Sequence, residues 1–310
     1  MTDTARPAHH ADQPRHADQP RHADEPRHVD ERRRADLAGR LAAVRERIAT
    51  AAVAAGRDPA ALTLVAVSKT YPAEDAVILH TLGLRDFAEN REQEAGPKVN
   101  LVTHQLLGGG APRAGGPDAG ARAAADPAKA ASTPGAGLAV PDRPVWHFVG
   151  QLQRNKARSV LRWADWVQSV DRAALVDGLS RAAVERGRPL SVCLQISLDP
   201  PRASGGADSS GVAVSGRGGI DPGAVSELAD LVARAPGLTL RGVMAVAPRG
   251  ESPRGAFARL RNVAERLVRD HPGATVISAG MSGDLESAIA EGATHLRIGT
   301  ALFGERPGVP

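Results

Sequence analysis

The chain has 310 residues, of which 42% are apolar, and a formal net charge of +4. That length can bury one full-sized core, while the small charge and an aromatic content of 3% supply neither the basic stripe nor the stacking platforms of a nucleic-acid binder. The longest apolar stretches are broken by Arg, Asp or Gly well before the roughly 18 residues a membrane span requires, and residues 1–36 lack the apolar core of a secretory signal, so a cytoplasmic location is expected, with no nucleic-acid or membrane partner.

The chain opens on a six-residue repeat, Pro14-Arg-His-Ala-Asp-Gln19, Pro20-Arg-His-Ala-Asp-Glu25 and Pro26-Arg-His-Val-Asp-Glu31. With Pro recurring every sixth residue and almost nothing apolar, residues 1–35 are predicted to be a disordered tail. Its histidines allow weak metal binding on composition alone, but a solvated tail is the preferred reading and no metal site is assigned. From Asp36 to Ala55 the pattern turns helical, with Leu37, Leu41, Val44, Ile48 and Ala52 on one face and Gly56 as the stop.

Extended apolar runs then alternate with helical ones. Strands are predicted at 62–67, 86–89, 145–149, 166–170, 190–197, 238–246, 275–279 and 294–298. Helices are predicted near 73–82, 91–99, 154–163, 171–186, 221–235, 253–270 and 282–291, with a short turn from Thr300. Eight strands joined by helical crossovers make an α/β protein, a (β/α)8 TIM barrel with an additional N-terminal helix, over residues 36–306. A doubly wound sheet is the rival, but no Gly-x-Gly-x-x-Gly follows the first strand. Residues 108–144, rich in Gly, Ala and Pro, and residues 200–219 are predicted to be flexible surface insertions. Cys193, inside Val192-Cys-Leu-Gln-Ile196, reads as a small buried hydrophobe.

Lys69 is one of four lysines and follows the run Leu62-Thr-Leu-Val-Ala-Val67, at the end of the first strand where such barrels bind ligands. An amine shielded there by apolar neighbours has its protonated form disfavoured and can condense with an aldehyde; a solvated rim lysine is the alternative. On the far side of the mouth, Ser278-Ala-Gly-Met-Ser-Gly-Asp284 and Leu296-Arg-Ile-Gly-Thr-Ala-Leu-Phe-Gly304 form two small-residue turns after strands seven and eight, where barrel enzymes commonly hold phosphate. Ser282 is expected to begin the helix after strand seven, as an anion ligand or an ordinary N-cap, and Gly299 and Thr300 to do the same after strand eight. Arg297 alternates with Leu296 and Ile298, so it points into the barrel if they point out. Its acceptor there is a pyridine nitrogen or an interior Asp or Glu. Asn90 could hydrogen-bond a ring substituent, and His147 and Gln151 would line the mouth, though His147 reads equally as a core histidine. A ligand carrying both an aldehyde and a phosphate is pyridoxal 5'-phosphate (PLP).

These segments, with Ala66-Val-Ser-Lys-Thr70, Trp146-His-Phe-Val-Gly150, Gln153-x-Asn-Lys156, Arg241-Gly-Val-Met244, Gly280-Met281-Ser282 and Arg297-Ile-Gly-Thr300, give the chain a resemblance from about residue 37 to 306 to the pyridoxal phosphate homeostasis protein family (YggS/PROSC), related to the N-terminal domain of alanine racemase. The resemblance implies that Lys69 is the Schiff-base lysine, that Ser282, Gly299 and Thr300 hold the phosphate with Met281 in the same turn, and that Arg297 faces the pyridine nitrogen. It further implies a single-domain, non-catalytic carrier that buffers PLP or passes it to PLP-dependent apoenzymes; a monomer is expected, with a dimer as the alternative. The family's Phe-Gly-Glu-Asn is Phe87-Ala-Glu-Asn90 in this chain, a methyl group that narrows the loop or is harmless. A racemase-like enzyme is the alternative, but the sole tyrosine, Tyr71, lies two residues from Lys69, where a second acid/base on the opposite ring face is hard to assemble.

Overall fold

The computed structural model describes residues 25–107, 143–199 and 218–305. Its strands are β1 (Thr63–Val67), β2 (Asp86–Glu89), β3 (Val145–Phe148), β4 (Trp166–Val170), β5 (Leu190–Gln195), β6 (Leu238–Met244), β7 (Val276–Ser278) and β8 (His295–Ile298). They follow one another in parallel and close into a barrel, with β1 paired to β8. Outside lie α2 (Ala73–Thr81), α3 (Glu92–Leu106), α4 (Ala157–Leu161), α5 (Ala173–Glu185), α6 (Val225–Arg234), α7 (Pro253–Asp270), α8 (Leu285–Ala290) and α9 (Thr300–Phe303), after a leading α1 (Glu25–Ala54). The predicted (β/α)8 architecture with its extra N-terminal helix is therefore the fold observed. No helix among the described residues is long and apolar enough to cross a membrane.

Strand alternation sorts the side chains. Ala66, Phe87, Trp146, Phe148, Val167, Val192, Leu194, Val243, Leu296 and Ile298 point outward into the layer shared with the helices, which holds most of the buried apolar area and hence most of the hydrophobic stabilisation. Val65, Val67 and Ala88 point inward and pack with Val149 as a small separate cluster. The extra methyl of Ala88 is thus absorbed by apolar neighbours inside the barrel. Below that cluster the interior is polar, with His147, Gln168, Ser278 and Arg297 all buried.

The face predicted for α1 is the buried one: Leu37, Leu41, Val44, Ile48 and Ala52 are each at most 6% exposed. Its start differs from expectation. The helix begins at Glu25 rather than Asp36, so the last eleven residues assigned to a disordered tail are helical. Pro26 falls in the first turn, where a missing N–H costs nothing, and further along the helix acquires a tertiary anchor. Arg33 donates to both carboxylate oxygens of Asp75 on α2, at 2.9 and 2.6 Å, and to the Phe303 carbonyl at 3.0 Å. Residues 1–24 lie outside the described residues, as do 108–142 and 200–217 of the two predicted insertions. The first insertion rejoins the barrel at Arg143, which forks onto Asp165 at 3.0 and 2.9 Å. The second rejoins at Gly218 and Gly219, both with positive φ.

A bulge between Val192 and Cys193 shifts the β5–β6 register past Arg241 to Gly242. Gly242 has φ 150°, and a Cβ there would lie 1.9 Å from the Val276 carbonyl oxygen, so only glycine lets β6 and β7 approach. Asp75 is 3% exposed in its side chain, and removing its partner strands a buried carboxylate. Arg33→Ala is expected to cost about 2 kcal/mol, read as a lower denaturation midpoint with an unchanged slope in urea.

Candidate functional site

One cavity of about 440 Å³ opens at the C-terminal end of the strands, within the range of small-ligand sites. All seven residues singled out in the sequence line it: Lys69, Asn90, Met281, Ser282, Arg297, Gly299 and Thr300. Gln151 lines it as expected, and so do Tyr71, Gly150 and Met244, for which the sequence carries no ligand signal.

Lys69 sits, half-buried, in a tight turn that ends β1, closed by the Tyr71 N–H donating to the Ser68 carbonyl at 3.0 Å. Thr70 takes φ 70°, a left-handed conformation that is costly for a β-branched residue. The neighbouring strand end is held firmly enough to maintain it. Lys98 of α3 donates to the Ser68 carbonyl and to Glu89, each at 2.7 Å, and the Ser68 hydroxyl donates to the same Glu89 oxygen at 2.8 Å. Glu89 is fully buried, so this ion pair fixes the β1 and β2 ends from which Lys69 and Asn90 project. Gly150 belongs to the same construction, since a Cβ on it would lie 2.0 Å from the Asn90 carbonyl oxygen.

Strands β1 and β8 are direct neighbours, with Val65 opposite Arg297 and Ala66 opposite Ile298. The small-residue turns after β7 and β8 therefore stand beside Lys69, and the expectation that they lie across the mouth from it is corrected. Ser282 also differs from its predicted place. It precedes α8, which starts at Leu285, because Asp284 closes the turn by accepting the Met281 N–H at 2.5 Å and donating its own to the Met281 carbonyl at 3.2 Å. The Ser282 hydroxyl caps the other helix, accepting the Ala301 N–H of α9 at 3.2 Å, and lies 3.3 Å from the Thr300 hydroxyl. From behind, Arg47 of α1 donates to the Ser282 carbonyl at 3.2 Å and to Glu286 at 2.7 Å. Two hydroxyls and a helix start, converging on one point, can receive an anion without any cationic side chain.

Arg297 does point inward, since Leu296 and Ile298 belong to the outer layer. Its interior partners belong to neither expected acceptor class: one Nη donates to the Ser278 hydroxyl at 2.7 Å and the other to the Ala245 carbonyl at 2.8 Å, both neutral oxygens. Burial pushes the guanidinium down to about 10, with Asp284 working against the fall, so it stays a cation at neutral pH. His147 does not line the mouth. It is fully buried below the cavity, 3.0 Å from Asp86 and 2.9 Å from Gln168, which bears out its reading as a satisfied core histidine. Gln168 and Ser278 escape a reading of the sequence because nothing local marks a Gln or Ser in a strand as the partner of a residue on another strand.

The geometry is that of a barrel protein with a lysine, an anion cradle and a buried guanidinium around one mouth. Residues 40–307 match the family described as alanine racemase, N-terminal domain. The chain is 38% identical over 277 residues to the pyridoxal phosphate homeostasis protein of Mycobacterium bovis, covering 87% of this chain and 93% of that one. It is 40% identical over 274 residues to the protein of the same name from Pseudomonas aeruginosa, covering 87% and 96%. Among solved structures it resembles PipY of Synechococcus elongatus with PLP bound, at a TM-score of 0.62 and 32% identity over 86% of this chain and 100% of that one. The chain belongs to the pyridoxal phosphate homeostasis protein family, within the alanine racemase N-terminal domain group.

Cys193 faces the barrel interior, where burial pushes its thiol up to about 12 against the pull of Arg297 and Arg241. Because the thiolate is the reactive form, a disulfide reagent at pH 8 is expected to leave the native protein unlabelled and to modify one thiol per chain after denaturation in urea.

Proposed function

We propose that the chain holds pyridoxal 5'-phosphate reversibly on Lys69, and buffers it or delivers it to PLP-dependent apoenzymes without catalysing a reaction of its own. The observation that carries this reading is the convergence of three unlike groups on one cavity: a half-buried amine, a cradle of hydroxyls and backbone N–H, and a buried guanidinium. Each fits one part of the cofactor. Ser282, Gly299, Thr300 and the start of α9 suit a phosphate dianion, with Met281 shaping the turn. Lys69 suits the aldehyde. Arg297 suits the pyridine nitrogen, and Asn90, braced by Gly150, suits a ring substituent. When bound, the group supplies an aldehyde that condenses reversibly with an amine and a ring that withdraws electrons strongly only when its nitrogen is protonated.

Arg297 can donate to that nitrogen but has no proton to spare for it at neutral pH. A guanidinium facing that nitrogen would keep the ring a weak electron sink, which suits holding the cofactor more than using it. Tyr71 supports the same conclusion. Its hydroxyl donates to the Gly304 carbonyl at 2.7 Å and its ring stacks on Phe303 at 4.5 Å, so the only tyrosine is committed to tying the α9 end to β1. The named relatives, whose names speak of cofactor homeostasis, agree with a carrier role.

The test is the absorbance spectrum of the purified protein with PLP, before and after borohydride reduction, with mapping of the modified peptide. The adduct is expected on Lys69, and Lys69→Ala should abolish it while leaving the protein folded. Survival of the band in that variant, or a label elsewhere, would count against the assignment. Ser282→Ala with Thr300→Val should weaken PLP binding by about tenfold and leave binding of unphosphorylated pyridoxal unchanged. For the carrier reading, α-proton exchange on alanine and serine should stay at the level of free PLP; exchange at ordinary enzymatic turnover would favour the racemase-like alternative instead.

A further inference from the structure

Beneath the cavity, four hydrogen bonds join five side chains from five different strands. Arg297 (β8) donates to the Ser278 hydroxyl (β7) at 2.7 Å, and Ser278 donates to Gln168 Oε1 (β4) at 2.7 Å. The Gln168 amide nitrogen lies 2.9 Å from His147 Nδ1 (β3), and His147 Nε2 lies 3.0 Å from Asp86 Oδ1 (β2). Gln168, His147 and Ser278 are fully buried, and Arg297 is 5% exposed.

The two ends of this chain determine its direction. A guanidinium can only donate and a carboxylate can only accept. Ser278 can accept from Arg297 and still satisfy its own proton by donating to Gln168 Oε1. That places the Gln168 NH2 against His147 Nδ1, which must then be a bare acceptor, and the imidazole proton must be on Nε2, facing Asp86. The reverse arrangement turns the Gln168 NH2 onto Ser278, whose hydroxyl would then accept twice and lose its acceptor for its own proton. It also needs a second proton on His147.

We infer that His147 is a positioning residue for the cofactor-facing guanidinium, acting through Gln168 and Ser278 along a hydrogen-bond chain with one permitted polarity. The inference rests on the reading of Arg297 as the group beneath the pyridine ring. It assigns a role to the histidine of Trp146-His-Phe-Val-Gly150 and to two residues that lie behind the cavity wall. With Ser278 oriented by the chain and Ala245 fixed by the backbone, the guanidinium plane is held at two points and presents its remaining N–H groups to the mouth. Cut at Gln168, the Ser278 hydroxyl loses the acceptor that fixes its torsion, and the first of those points is no longer held in one orientation.

Two measurements on the full-length protein test this. The first needs no cofactor: long-range proton–nitrogen correlation spectra of histidine-labelled protein, with His147 assigned by its loss in His147→Gln. A neutral imidazole protonated on Nε2 is expected; an Nδ1–H tautomer, or an imidazolium at pH 7.5, would overturn the chain. The second compares Gln168→Leu with Gln168→Glu. The leucine removes both links and should weaken PLP binding by about tenfold and shift the absorbance maximum of the bound form. The glutamate still accepts from Ser278 and should recover affinity to within about threefold, while converting His147 to the doubly protonated form as it, too, becomes a donor. Wild-type affinity and spectrum in Gln168→Leu would overturn the positioning role. Should that variant fold poorly, Ser278→Ala breaks the same chain one link nearer the cavity and is expected to give the same spectral shift; an unshifted spectrum there overturns the role equally. If wild-type protein forms no adduct on Lys69 while His147 shows the expected tautomer, the cofactor reading of the cavity fails and the polarity of the chain stands.

Discussion

A guanidinium held inside a closed barrel, with neutral oxygens as its hydrogen-bond partners, is the constraint around which the rest of this structure is arranged. Taking such a charge out of water costs several kcal/mol even after relaxation, and both hydrogen bonds that meet Arg297 come from uncharged groups. The compensation is spread out: a backbone carbonyl, a serine oriented by a glutamine, and behind these an imidazole and a carboxylate at the base of the barrel. Interior positions that a simple barrel fills with Val, Ile and Leu are occupied in this one by Gln168, His147, Ser278 and Arg297. The apolar packing that stabilises the fold lies almost entirely between the strands and the helices.

The second consequence is where the site can be built. Lys69 and Thr300 are far apart in sequence, yet they stand on neighbouring strands because β1 pairs with β8. That seam closes the barrel, and it is fastened at the mouth by the last residues described. Tyr71 reaches the Gly304 carbonyl, Phe303 stacks on Tyr71, and Arg33 from the leading helix reaches the Phe303 carbonyl. Arg47, on the same helix, supports the Ser282 turn. The N-terminal helix is thus more than an addition to the barrel. It clamps the seam at which the amine and the anion cradle meet.

How much of this is legible in the sequence follows from which interactions are local. The buried face of α1 is legible because Leu37, Leu41, Val44, Ile48 and Ala52 repeat at helical spacing. The strands are legible because apolar runs between helical stretches leave few alternatives. Lys69, Ser282, Gly299 and Thr300 stand out because turns that end strands are marked by small and polar residues. What stays hidden depends on register. Nothing in Trp166-Val-Gln-Ser-Val170 says that its Gln will lie between a histidine from β3 and a serine from β7, since the meeting is set by strand order, stagger and the bulges after Val167 and Val192. For the same reason the sequence puts the cradle on the far side of the mouth, and gives Ser282 to the helix that follows it when it caps the one beside it. The start of α1 is hidden for a different reason: a Pro-bearing polar repeat carries no periodic signal, and the first tertiary anchor beyond it, Arg33 on Asp75, is a contact between residues far apart in sequence.

Because the site exists only when the seam is closed, a ligand bridging Lys69 and the cradle binds the folded barrel and not the open chain. It must therefore stabilise the fold by mass action, and the coupling runs in both directions. Whatever loosens the α1 clamp weakens the cradle, and whatever leaves the mouth carries away part of the stability of the seam. That seam is separate from the outer hydrophobic layer, which holds most of the buried apolar area. The strained turn at Thr70 lies on the seam. Its left-handed backbone is maintained by the Lys98–Glu89–Ser68 cluster on one side and by Tyr71 packed on Phe303 on the other. The amine is thus carried by a rim segment that is held by contacts from both sides.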